Sequence, residues 1–195
     1  MTGGVIMSQH NGNREDRRSR YTRMVVKEAL LTLLSEKDYG NITVSDICRT
    51  AEISRGTFYL HYSNIPAVLD ELLEDALNSS HSVLAQIGCE TASDEKCGVP
   101  LCRFLRENKK YQPLFFSDSL HSLVIDRVGH VNEDKYVERL RTQTGLSEKS
   151  IRALFYFQLN GCLAISKQNV NILDEEWSEI QCHVDHFLRN GFDNL

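Results

Sequence analysis

The chain has three prolines and a single tryptophan in 195 residues, and it almost lacks stretches in which Val, Ile or Thr alternate with polar residues. Without a period of two a sheet has no face to bury, so the sequence predicts an all-α protein. No apolar run reaches the length of a membrane span. The first twenty residues, MTGGVIMSQHNGNREDRRSR, lack the apolar core of a signal peptide. A cytoplasmic protein with no membrane partner is the expectation, with Met7 as good a start as Met1. None of the six cysteines, Cys48, Cys89, Cys97, Cys102, Cys162 and Cys182, forms a C-x-x-C pair. This argues against a zinc site or redox dithiol and for reduced thiols. There is no Gly-rich phosphate loop, no G-x-S-x-G and no H-E-x-x-H, so no catalytic residue, metal site or cofactor is assigned and no enzyme is expected.

A hydrophobic content of 41% with 25% charge is ordinary for a globular chain. The length allows one domain, or a small domain beside a larger one. A net charge of −5 argues against indiscriminate polyanion binding, but the charge is unevenly placed. Residues 1–62 carry nine Lys/Arg against seven Asp/Glu, and residues 63–195 carry thirteen against twenty. Six of the nine cations fall between Arg14 and Lys27, so residues 1–19 read as a flexible basic arm, either a solvated tail or a nucleic-acid contact.

Val26, Ala29, Leu30, Leu33 and Leu34 follow helical spacing and predict a helix over 21–37, stopped by Asp38-Tyr39-Gly40-Asn41. Thr43 can cap a second helix with Asp46 three residues on, and Val44, Ile47, Cys48 and Ala51 give it one apolar face. Glu52-Ile53-Ser54 interrupts that face. Ser54 can cap a third helix to about Tyr62, with Ile53 and Phe58 as a hydrophobic staple. Two short helices across a turn, at about 43–62, have the dimensions of a helix-turn-helix.

The second helix of such a unit enters the DNA major groove. Arg55 can offer two donors to a guanine edge or pair with a phosphate, and Thr57 can meet a base, a thymine methyl or a phosphate oxygen. Gly56 costs about 1 kcal/mol relative to alanine inside a helix, which close backbone approach to another molecule would offset. Leu60 sits at the same groove-facing end. Tyr59 and His61 carry polar tips at phosphate reach, whereas Phe58 and Tyr62 are assigned to the core. The other reading is an ordinary helical hairpin with a polar outer face.

The segment TVSDICRTAEISRGTFYLHYSN resembles the DNA-binding signature of the TetR/AcrR family of bacterial transcriptional regulators, over roughly residues 20–80. The resemblance implies three N-terminal helices that bind operator DNA as a homodimer, and C-terminal helices that hold an effector pocket and the dimer contact. It implies a phosphate contact at Thr43 and aligns Gly56, Tyr59, His61 and Tyr62 with the family's third helix. Glu52 stands where the family usually has glycine, and Ile65 where it usually has a phosphate-binding lysine. Binding would then lean on Arg17, Arg18, Arg20 and Arg23. The segments FYLHY and ENKKYQPLFF are also similar to a subgroup related to dihydroxyacetone kinase regulators.

Apolar spacing predicts a fourth helix from Ile65 to about Ile87, fraying into the polar GCETASDEKCGVP. Further helices are expected at about 100–110, 117–131 and 133–143, then one capped by Ser147 to about Lys167, and one capped by Asp174 and closed by Gly191. Residues 81–195 are thus assigned to an effector-binding and dimerisation domain. Phe115, Phe116, Tyr156, Phe157 and Trp177 are candidates to line a ligand pocket or are plain core. Cys182 and His186 stand four apart, a spacing open to a shared metal but ordinary for an amphipathic helix. Cys89, Cys97 and Cys102 are open to oxidant sensing if one has a lowered pKa. Gly161 and Ala164 would permit close approach of two-fold mates in a homodimer built on about 148–167 and 174–190. The functional expectation is a ligand-responsive homodimeric repressor of a near-palindromic operator, with an unknown small-molecule effector. The alternative is a helical protein-interaction module that has lost specific DNA binding.

Overall fold

The apolar repeat from Val26 to Leu34 lines one side of α1 (Gln9–Glu36), and those side chains are buried. The computed structural model describes residues 9–79 and 101–193. The described residues are helices and turns with no strand, as the missing period-2 pattern predicts. α1 starts at Gln9 and not at Tyr21, so it takes in residues assigned to the basic arm. Nothing in that stretch breaks a helix as proline does, and Arg20 pairs with Asp16 one turn back at 2.5 Å. After a single turn at Tyr39–Asn41 come α2 (Val44–Thr50), α3 (Arg55–His61) and α4 (Ile65–Ser79). The expected continuation of α4 to Ile87 and the polar segment after it lie outside the described residues.

The chain divides into two compact units, Met1–Leu72 and Leu73–Leu195, so the division falls within α4, ahead of the boundary expected at residue 80. In the first unit α1, α2 and α3 pack on one another around Leu30, Ile47 and Phe58. Glu71 on α4 accepts hydrogen bonds from Arg23 and, at 3.0 Å, from Lys27, both on α1. The Arg23 guanidinium also lies 5.1 Å from the centroid of the Tyr62 ring. Burial works against the Glu71 charge, yet Lys27, Tyr62 and Arg23 hold its pKa below the ordinary value. Burial and that same carboxylate push the Tyr62 hydroxyl up. Arg23 is therefore engaged inside the unit, with 40% of its side chain still exposed.

The second unit contains α5 (Leu101–Glu107), α6 (Gln112–Phe116), α7 (His121–Gln143), α8 (Glu148–Gln168) and α9 (Asp174–Asp193). The two helices expected over 117–131 and 133–143 are one. Val131-Asn132-Glu133 holds no proline or glycine, and the Asn132 amide donates to the Val128 carbonyl at 2.9 Å without breaking the helix. α7 packs on α8, where Tyr136 donates to buried Gln158 at 3.1 Å and meets Phe155 edge-on. A Cβ at Gly129 would stand 2.8 Å from the Tyr156 hydroxyl; its absence lets Tyr156 lie against α7 and donate to Glu133 at 3.0 Å. Ser147 caps α8 as expected, accepting from the Ser150 N–H at 3.2 Å. Arg106 on α5 donates to Asp174 at 2.8 Å and to the carbonyls of Asn169 and Ile172, and its guanidinium sits 5.5 Å from the Trp177 ring centroid.

Candidate nucleic-acid interface

The first helix of the pair is fixed at its start by a capping box. The Thr43 hydroxyl accepts from the Asp46 N–H at 3.2 Å, while the Thr43 N–H donates to the Asp46 carboxylate at 3.0 Å. The Thr43 hydroxyl also donates to that carboxylate at 2.8 Å, so its proton is already engaged within the domain. Lys37 reaches Asp46 from the end of α1 at 2.7 Å, and Arg49 does so from α2 at 2.8 Å. Hydrogen bonds from Lys37 and Thr43 hold the Asp46 carboxyl well below the usual carboxylate range.

α2 ends in a Schellman turn. The Ile53 N–H donates to the Cys48 carbonyl at 3.0 Å and the Glu52 N–H to the Arg49 carbonyl at 3.3 Å. That closure requires a left-handed residue, and Glu52 supplies it with φ at 54°. Here the sequence departs from the glycine of the resembling family, and the backbone conformation shows why glycine is favoured there.

Ser54 caps α3, accepting from the Thr57 N–H at 3.0 Å and sharing a hydrogen bond with the Thr57 hydroxyl at 2.9 Å. Phe58 is fully buried and Tyr62 nearly so, and this anchors α3 with its other side outward. Arg55, Gly56, Tyr59 and Leu60 are exposed and Thr57 and His61 half-exposed, and Thr43, the N-cap of α2, is exposed as well. Arg55 donates to the Ser45 hydroxyl on α2. At the start of α4, Ile65 follows Asn64, whose side chain accepts from the Ala67 N–H at 2.9 Å.

Residues 27–72 match the family model of bacterial regulatory proteins, tetR family. The chain carries a TetR-family DNA-binding domain. Its similarity to the uncharacterized HTH-type transcriptional regulator YxbF of Bacillus subtilis is 45% identity over 60 residues, 30% of this chain and 16% of that protein. To the HTH-type dhaKLM operon transcriptional activator DhaS of Lactococcus lactis it is 30% over 103 residues, 52% of this chain and 53% of that one. The chain thus spans from about a sixth to about half the length of these relatives. The weak resemblance to dihydroxyacetone kinase regulators found in FYLHY and ENKKYQPLFF agrees with the second of them.

Outside the TetR-type domain, the five aromatic pocket candidates do not meet in one cavity. Phe115 is core, Tyr156 is turned toward Glu133, and Phe157 is 65% exposed. Consecutive helix residues point about 100° apart, so Tyr156 and Phe157 part company. Phe116 and Trp177 do share a small cleft with Cys102 and Ser166. Trp177 also lines an open groove of about 1110 Å³ with Arg103, Arg106, Lys109, Asp185 and His186. Burial pushes the Cys102 thiol up to about 11 and the Cys162 thiol up to about 12, the reverse of what an oxidant sensor needs. Cys89 and Cys97 lie outside the described residues. No described helix is long and apolar enough to cross a membrane.

Three features of this surface were missed in the sequence. The Ser45–Arg55 bond and the Arg23–Lys27–Glu71 clamp join residues that only the fold brings together, separated by 10, 48 and 44 positions. Asn64 before Ile65-Pro66 was a legible N-cap.

Proposed function

We propose that this chain is a DNA-binding transcriptional regulator that acts as a ligand-responsive homodimer on a near-palindromic operator. The observation that carries the reading is the outward face of α3, with Arg55, Gly56, Tyr59 and Leu60 presented on a helix anchored by buried Phe58, inside a domain that matches the tetR family. Thr43, Thr57 and His61 complete the contact set, and residues 1–19 serve as a basic arm. Such a domain does its work by binding rather than catalysis, in the cytoplasm where the chromosome is.

Two copies of α3 must stand about 34 Å apart, or at a longer groove-matched spacing, to enter successive major grooves. Residues 81–195 supply the dimer contact and the effector site. Phe157 on α8 and Phe187 on α9 are 65% and 70% exposed, and a Cβ on Gly161 would meet nothing within 4 Å, which suits burial against a second copy. A ligand that tilts α4 changes the spacing of the heads. A tenfold loss of DNA affinity needs about 1.4 kcal/mol of differential binding. Release of DNA by ligand makes the protein a repressor. The second reading is activation, favoured by the name of the Lactococcus relative.

Anisotropy titration of the full chain against the DNA flanking its own gene tests the reading. Specific binding that weakens steeply with salt is expected. Flat, weak binding would instead support a protein-interaction module, to which Glu52 and Ile65 are congenial. A reporter fused to the bound promoter separates repression from activation.

A further inference from the structure

Leu60 is 82% exposed, although a leucine in water forgoes burial of a large apolar side chain. Its surroundings on α3 are specific. Gly56 lies four residues earlier, one turn toward the N-terminus, and helical side chains lean toward that end. A Cβ at Gly56 would meet only the Ser54 hydroxyl, at 3.7 Å. The outward face of α3 therefore carries a notch at Gly56 with an apolar wall at Leu60, flanked by Arg55 and by Tyr59, itself 57% exposed. Leucine has no donor for a phosphate. In the major groove, the apolar feature that a base pair presents is the C5-methyl of thymine.

We infer that Leu60 is a specificity-determining residue that reads a thymine through its C5-methyl group, seated in the notch over Gly56. This rests on the DNA-binding reading of the domain. The backbone at Gly56 admits the base edge, and Leu60 covers the methyl and excludes water from it. Removal of that methyl forfeits the burial of one carbon, a loss of roughly fourfold in affinity from about 0.8 kcal/mol.

The test uses the full chain to enrich duplexes from a randomised pool, then replaces each thymine of the enriched site in turn by deoxyuridine, which deletes only the methyl. At one thymine per half-site the wild type should lose roughly fourfold for each methyl removed. Leu60→Ala should bind the thymine site more weakly and show no further loss with deoxyuridine, while Leu60→Ile should keep the methyl dependence. An enriched site at which every deoxyuridine is tolerated would overturn the inference and leave the DNA-binding reading intact. So would a Leu60→Ala protein as methyl-dependent as the wild type. Failure of any sequence to enrich would remove the DNA-binding reading itself, and the inference with it. An unchanged circular dichroism spectrum of Leu60→Ala separates these outcomes from misfolding.

Discussion

Arg55, on the helix proposed to enter the groove, donates a hydrogen bond to Ser45, on the helix before it. The tether holds a long side chain near one arrangement before DNA arrives, which lowers the entropy lost on binding. Ser45→Ala should weaken operator binding less than Arg55→Ala, and Ser45→Thr should restore much of it. Both residues are on the surface, so each alanine variant should keep its stability within about 0.5 kcal/mol. Anisotropy titrations with parallel urea melts measure the two effects. An Arg55→Ala protein that binds its enriched site as the wild type does would remove α3 from the groove.

Phe58 behaves oppositely. It has no exposed surface, and its ring meets Tyr59 at 5.4 Å and Tyr62 at 5.9 Å between centroids. Phe58→Ala should cost about 3–5 kcal/mol and loosen the first unit, with DNA binding lost as a consequence. Denaturant melts read this directly, and a stable Phe58→Ala variant would contradict the packing of α3.

At Glu52 the expected change is a gain. A non-glycine residue at positive φ costs on the order of 1 kcal/mol. Glu52→Gly relieves that strain and removes a negative charge from the turn between α2 and α3. It should raise the unfolding midpoint in urea and tighten DNA binding most at low salt. An unchanged midpoint would mean that the turn relaxes without help.

Asp46 gives a pH dependence. Its carboxyl is held below its unfolded value by hydrogen bonds from Lys37 and Thr43. Stability from this source is therefore fully present above the unfolded pKa of about 3.9 and drains away as pH falls through and below it. The melting-temperature difference between wild type and Asp46→Asn should be full near pH 6, begin to shrink below about pH 4, and go on shrinking until pH falls through the depressed folded pKa. A difference as large at pH 2 as at pH 6 would contradict the charge-based account.

Phe157 and Phe187 provide a test of assembly. Phe157→Glu should shift the sedimenting species from dimer toward monomer at micromolar concentration while helicity is kept, because the residue touches little within its own chain. A wild type that sediments as a monomer would count heavily against the proposed two-fold arrangement.

The N-terminal unit was the more legible because its signals are local. Thr43 with Asp46, and Ser54 followed by Phe58, act over three or four residues, and both caps form where the spacing places them. The family resemblance named there is matched by the family model over 27–72. The start of α1 was misplaced because Arg and Asp residues without apolar periodicity still propagate a helix once one is nucleated. The single α7 was read as two because the polar run Asn132-Glu133-Asp134-Lys135 interrupts the apolar stripe without interrupting the backbone. The five aromatic candidates are scattered for a related reason. Composition names large rings, but whether a ring faces a cleft, the core or water is decided by helix rotation.

The grip of Arg106 on the connection before α9 has a kinetic corollary. Its partners Asn169, Ile172 and Asp174 lie 63 to 68 positions away in the chain, so that connection lacks the guanidinium's hold until α5 has docked. Contacts across so long a span form slowly. The connection is thus a place where a newly made chain stays open to proteolysis after its helices have formed. Lysine, a point charge without the guanidinium fork, could not make the same set of bonds, so even this change would lengthen that exposure.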